Sequence, residues 1–215
     1  MKELLMKIHN LFMITILGWV LLFSASSDCF GDTDKLPGEY RTIDEPSIHE
    51  PGKVILLEFA DFYCPHCHMF EQTVVSKLKK EFGNHLKVRF VGFPVIRGKL
   101  PTAFEMYEQA RKMGKGQEMK RVLFRTIHHE KIQILDKRLR VFLIREVGLD
   151  VEKFEKGLAS GQPYKALEEG KAWGERIGVT HTPTVVLNGN IRVDNLDVEN
   201  LRTLIRGILK KEKAG

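Results

Sequence analysis

Residues 54–60, Val-Ile-Leu-Leu-Glu-Phe-Ala, form a near-continuous apolar run broken only by Glu58. A short run without polar alternation fits a strand buried on both faces, as in a parallel or mixed sheet covered by helices. The period then changes. Phe70, Val74 and Leu78 recur at steps of four, which predicts a helix over 65–82 with one apolar face. Residues 86–93 return to a strand pattern, giving a β-α-β unit. From 101 to 178 the pattern is helical: Thr102 with Glu105 predicts a capping box, Gly114 a stop, and Met119, Val122, Leu123, Thr126 and Ile127 share helical spacing. Further helices fit 136–147, 150–160 and 164–177. Thr184–Leu187 and Ile191–Val193 then flank Asn188-Gly189-Asn190, a hairpin signal. Asp197 is placed to cap a last helix whose Leu201, Leu204, Ile205, Ile208 and Leu209 form one face. Upstream, Tyr40-Arg41-Thr42-Ile43 reads as a short edge strand, and 28–39 as a polar, flexible segment. The expected class is α/β: a sheet domain from 40–99 and 179–215, with a helical subdomain inserted at 100–178.

Composition adds a compartment and removes nucleic acid. The formal charge is +6 over 215 residues, but basic and acidic residues are interspersed, the pattern of a solvated surface. Lys2 and Lys7 precede the apolar run 11–23, and Ser24-Ala25-Ser26-Ser27 supplies small residues for cleavage. That is a signal-peptide layout over 1–27, with an uncleaved anchor as the alternative when the run is extended to 8–25. Export implies the periplasm and an oxidising setting. Cys29 has Asp28 before it and no Leu three residues upstream, so it reads as a cysteine of the flexible tail and not as a lipidation site.

The chemistry is carried by Cys64-Pro65-His66-Cys67, set between the first strand and its helix. The spacing lets two sulfurs close a ring across a first helical turn, the arrangement of a redox dithiol. Cys64 falls at the N-cap, where unpaired N–H groups and the helix dipole stabilise a thiolate and lower its pKa. Pro65 suits the first helical position, and His66 adds a donor or a positive charge beside the sulfur. Cys67 lies on the apolar stripe and should be shielded. A stabilised thiolate is a good leaving group, so such a pair tends to oxidise its partner's thiols. His68 makes the stretch also Cys-x-x-Cys-His, the attachment pattern of c-type haem. Against haem stand the preceding buried strand and a proline tuned to a helix start. Zinc lacks a second ligand pair, and a four-residue disulfide loop constrains the unfolded chain little. His128-His129-Glu130 resembles a metal cluster only superficially, because neighbouring helical residues point about 100° apart. No metal and no cofactor is expected. Asp61 reads as a solvated or helix-proximal acid.

Three stretches together resemble the DsbA-type thiol:disulfide oxidoreductases: Tyr40-Arg41-Thr42-Ile43; Leu57-Glu58-Phe59 leading into Phe62-Tyr63-Cys64-Pro65-His66-Cys67; and Thr182-Pro183 before the Asn188-Gly189 hairpin. The resemblance spans most of the chain after residue 27 and implies a thioredoxin-like fold. It implies Cys64 as exposed nucleophile, Cys67 as shielded resolving thiol, and Glu58 as a buried acid beneath them that assists proton transfer. It further implies a cis Pro183 beside the dithiol, with Thr182 at the client groove; His181, beside Thr182, reads either as a second residue of that groove or as a surface-loop histidine. Its partners would be reduced or misoxidised client proteins and a membrane-embedded, quinone-linked reoxidant of the DsbB kind, with the chain a monomer. Thr182 departs from the Val that often precedes this proline in strongly oxidising members, which leaves reductase or isomerase activity as the alternative to oxidase.

Overall fold

The computed structural model describes residues 35–132 and 136–214. The expected signal segment at 1–27, most of the tail and Cys29 lie outside the described residues. Five strands form one mixed sheet: β1 (Tyr40–Thr42), β2 (Val54–Ala60), β3 (Leu86–Gly92), β4 (Thr184–Leu187) and β5 (Ile191–Val193), in the order β1-β5-β4-β2-β3. β2 runs parallel to β3, with Val54 opposite Leu86 and Glu58 opposite Phe90. It runs antiparallel to β4, with Glu58 opposite Val185. All seven β2 residues are buried, as its unbroken apolar run requires. β1 and β3 are the sheet's edges, and the β3 edge exposes Lys87 and Arg89.

Helix α1 follows β2 and runs through Pro65–Phe70, a π-helical turn Glu71–Val75 and Ser76–Phe82. The π turn alters the expected apolar stripe. Adding a residue to one turn shifts the phase, so Val75 is fully buried while Val74 only packs against the core margin. Phe70, Val75 and Leu78 meet Val54, Leu56, Val185 and Leu187 of the sheet on one face. The last helix, α7 (Val198–Ala214), adds Leu201, Leu204, Ile205 and Ile208 to the same cluster. Burial of side chains of this size contributes about 1.5–3 kcal/mol each. Ile55, Leu57 and Phe59 point to the opposite face, against Trp173 and Ile177. By the same alternation Glu58 shares the α1 face with Val54 and Leu56.

Among the described residues between β3 and β4 are five helices: α2 (Thr102–Lys112), α3 (Gly116–His128), α4 (Lys137–Glu146), α5 (Val151–Ala159) and α6 (Gln162–Arg176). Asp136 and Asp150 cap α4 and α5, accepting from Arg138 N and Lys153 N. The capping box expected at Thr102 is not formed. Pro101 takes the N-cap without a side-chain bond, its φ of −68° already helical, and its carbonyl accepts Glu105 N. α6 begins two residues before the expected start because Pro163 occupies its first turn, after Gly161 at φ +70°. The hairpin turn uses Asn188 at φ +47° and Gly189 at φ +82°. A Cβ on Gly189 would sit 2.9 Å from Pro46 O, so position and conformation both select glycine. No helix among the described residues is long and apolar enough to cross a membrane.

Candidate functional site

The chain leaves β2 through a loop that Asp61 holds in shape. Asp61 is buried, and its carboxylate accepts Tyr63 N at 2.9 Å, Val95 N at 2.8 Å and Ile96 N at 2.9 Å. This corrects the reading of a solvated acid: three backbone N–H groups satisfy the charge, which tethers the dithiol loop to the segment after β3. Cys64 is the N-cap of α1, with an extended backbone at φ −82° and ψ 116°, and Pro65 stands in the first turn.

Both cysteines are free thiols. Cys67 is fully enclosed, whereas Cys64 keeps 5% of its surface. Cys64 is therefore less open than an exposed nucleophile, because the Thr182-Pro183 segment leans over it. The Cys64 Sγ donates to Thr182 O at 3.5 Å, and the Thr182–Pro183 peptide is cis. Thr182 is buried, with its hydroxyl unpartnered by nitrogen or oxygen. Pro65, His66 and His181 are exposed. His181 borders a cavity of about 260 Å3 with Pro183, Arg41 and Arg192, and its carbonyl accepts the Thr184 hydroxyl at 2.8 Å. Burial pushes the Cys67 thiol far up, and the nearby Cys64 and Glu58 charges add to this, while a backbone contact to Asp61 and the Thr182 hydroxyl oppose it. The enclosed sulfur thus favours its protonated form.

Glu58 lies near enough for its charge to act on Cys67. It is fully buried, and neither carboxyl oxygen meets an N–H or alcohol donor; its side-chain partner is the Glu71 carboxylate. Burial raises its pKa well above the usual carboxylate range, and the neighbouring Glu71 carboxylate raises it further, against the pull of Lys120. Glu71 behaves differently. Burial is again the largest influence and acts to raise it, but the Lys120 ammonium, a hydrogen bond from Glu58 and the Lys79 charge together outweigh that and hold it below its ordinary value. Lys120 forms an ion pair with Glu71, is 2% exposed, and lies over the Phe90 ring at 5.7 Å. Two acids and one cation therefore divide a single negative charge, with the proton on Glu58.

Sequence reasoning singled out Glu58 and missed Glu71 and Lys120. Glu71 was discoverable, because it stands four residues after Cys67 on the same helical face. Lys120 gives no such signal within a helix of mixed charge. These groups open onto a groove of about 870 Å3 between α1 and α3, lined among others by Lys79, Arg121, Phe124 and Arg125. His129, which caps the end of α3, lines this groove with His68 of α1, and the His68 ring packs against both His128 and His129. Among the described residues, no group of three or more His, Cys, Asp or Glu side chains is arranged to hold a metal ion.

A mixed sheet interrupted by helices, with a dithiol at the N-terminus of α1 facing a cis proline, has known counterparts. The thioredoxin family model matches residues 49–206, and the chain belongs to that family. It is 27% identical over 188 residues to the thiol:disulfide interchange protein DsbA of Pseudomonas aeruginosa, covering 86% of this chain and 87% of the relative. It is 28% identical over 169 residues to the probable disulfide bond formation protein D of Bacillus anthracis, covering 75% of each. The crystal structure of P. aeruginosa DsbA superimposes with a TM-score of 0.63 at 25% identity, covering 86% of this chain and 97% of that one. Within the thioredoxin family, the chain is a protein thiol:disulfide oxidoreductase of the DsbA type.

Proposed function

We propose that this is an exported, periplasmic oxidase that introduces disulfides into folding proteins through Cys64 and Cys67. One observation carries the reading: Cys64 sits at a helix N-terminus against the Thr182 carbonyl, with Cys67 sealed beneath it beside a proton-bearing Glu58. In the oxidised enzyme a client thiolate attacks Cys64 Sγ, the Cys64–Cys67 bond breaks, and Cys67 leaves with the electron pair. Its buried thiolate takes a proton, for which Glu58 is the near donor. The charged Glu71 carboxylate, paired with Lys120, keeps that proton on Glu58 between turnovers against the direct pull of the ammonium, and the pair borders the solvent groove through which the proton is replaced. The client's second thiolate then attacks its own sulfur in the mixed disulfide and expels Cys64, whose charge meets the positive end of α1. Two electrons have passed to the enzyme, and the client holds a disulfide.

The exposed Pro65-His66 edge and the backbone of Thr182 frame the approach of an extended client segment, which pairs with main-chain groups beside Pro183. Exposed His181 stands at the rim of that path. A quinone-linked membrane protein of the DsbB kind would accept the electrons, and the chain would work as a monomer without cofactor or metal. The deciding measurement is the reduction potential of the pair against glutathione. The oxidase reading expects a potential well above the thioredoxin value of about −270 mV, whereas a value near it assigns the chain to reduction. Cys64→Ser is expected to abolish oxidation of a reduced client, and Cys67→Ser, offered a client disulfide, to hold the mixed disulfide formed when Cys64 attacks it and the client's other sulfur leaves as a thiolate. Persistent oxidation in Cys64→Ser would reverse the two roles.

A further inference from the structure

Three histidines that the exchange chemistry does not use meet where the dithiol helix touches the helical insert. His68 follows Cys67 directly on α1, and His128 and His129 end α3. The His68 and His128 rings stack with centroids 4.7 Å apart and planes 3° from parallel. His68 Nε2 faces His129 Nε2 at 3.1 Å, and Gln72 adds its side-chain amide to His129 at 3.4 Å. Phe124 closes another side of His68 at 5.4 Å. His128 Nε2 donates to the Phe62 carbonyl at 2.8 Å, two residues before Cys64.

We propose that His68, His128 and His129 form a proton-sensitive positioning clasp, which holds α1 against α3 through the His68–His129 contact and the His68–His128 stack and loosens at those two contacts in mild acid, while the His128 bond to the Phe62 carbonyl survives protonation. The geometry allows only a limited number of protons. A nitrogen-to-nitrogen contact is a hydrogen bond when one proton lies between the two atoms, and two facing donors when both rings are charged. Stacked rings likewise tolerate one charge far better than two. The surrounding charges are mixed. Lys131 and Arg125 add positive charge from α3 and the segment after it, while Glu71 on α1 and Asp61 in the dithiol loop favour protonation. The balance is held by burial first and the neighbouring histidines and Lys131 next, which keep His68 below its ordinary value; burial first and Lys131 after it do the same for His128, against the Phe62 carbonyl, which favours its charged form. In a folded state with depressed histidine pKa values, the unfolded chain takes up protons first as pH falls through about 6.5, so this contribution to stability is present above that pH and lost below it.

The test uses the full chain with the Cys64–Cys67 disulfide formed, so that no active-site thiol titrates. Urea midpoints of the parent are compared with those of His129→Gln and of the triple variant His68→Gln, His128→Gln, His129→Gln. Reading parent minus variant cancels Glu58 and the histidines outside the clasp. The difference should favour the parent at pH 7.5 and shrink toward zero at pH 5. A difference independent of pH would overturn the clasp. A second arm rests on the exchange chemistry proposed above and measures the rate of client oxidation. The parent should exceed His129→Gln by about threefold at pH 7.5, the worth of one modest hydrogen bond, and match it at pH 5. If the stability arm succeeds and the two rates coincide at every pH, the clasp stands as a structural contact and its positioning of the dithiol is refuted. If neither protein oxidises the client while the stability arm succeeds, the oxidase reading fails and the clasp survives it.

Discussion

At the scale of single residues, Glu58 is the most consequential side chain outside the dithiol. Its folded pKa is raised, so the unfolded chain gives up this proton first as pH rises above about 4.5, and the folded state loses stability across that rise. Glu58→Gln should remove this loss. In urea titrations of the oxidised protein, variant minus parent is expected to grow steadily from pH 5 to pH 8. The same substitution should slow the release of Cys67 and flatten the pH profile of exchange; an unchanged profile would remove Glu58 from the proton path. A carboxylate inside an apolar run advertises itself, and so Glu58 was legible in the sequence. Asp61 was not, because the N–H groups it serves belong to Val95 and Ile96, which reach it only after β3 has returned along the sheet.

At the scale of elements, helix α1 joins the dithiol to its surroundings, and its π turn decides which side chains do so. Val75→Ala should cost about 1–3 kcal/mol and clearly more than Val74→Ala, although a regular helix would bury Val74. Chemical denaturation of the two variants compares them directly. The link to α3 is ionic. Lys120→Met strands Glu71 in a largely dry site and should cost about 3 kcal/mol, most of it recovered when Glu71→Gln is added. β2, the start of α1 and the Asn188-Gly189 hairpin could be read from local pattern and turn chemistry. The π turn, the Glu71–Lys120 pair and the meeting of His68 with His128 and His129 could not. Each joins residues about 50 or more apart in sequence, or depends on a hydrogen-bond slip that no side chain signals.

At the scale of the whole molecule, the redox state and the fold are two ends of one equilibrium. A dithiol that oxidises others strongly belongs to a protein more stable when reduced, so thermal melts should show a higher midpoint for the reduced form. The reverse order would accord with a reductase. The sheet's two borders carry a further consequence. A protein that handles incompletely folded chains is surrounded by extended segments seeking a strand to pair with, and any open border offers them a place to settle. β1 is only three residues long, and the β3 border displays Lys87 and Arg89 to solvent. An arriving chain finds short purchase at one rim and positive charge at the other. On the proposed reading the backbone offered to a client is the stretch at Thr182, so borders that discourage company would leave arriving guests to the segment beside the sulfur.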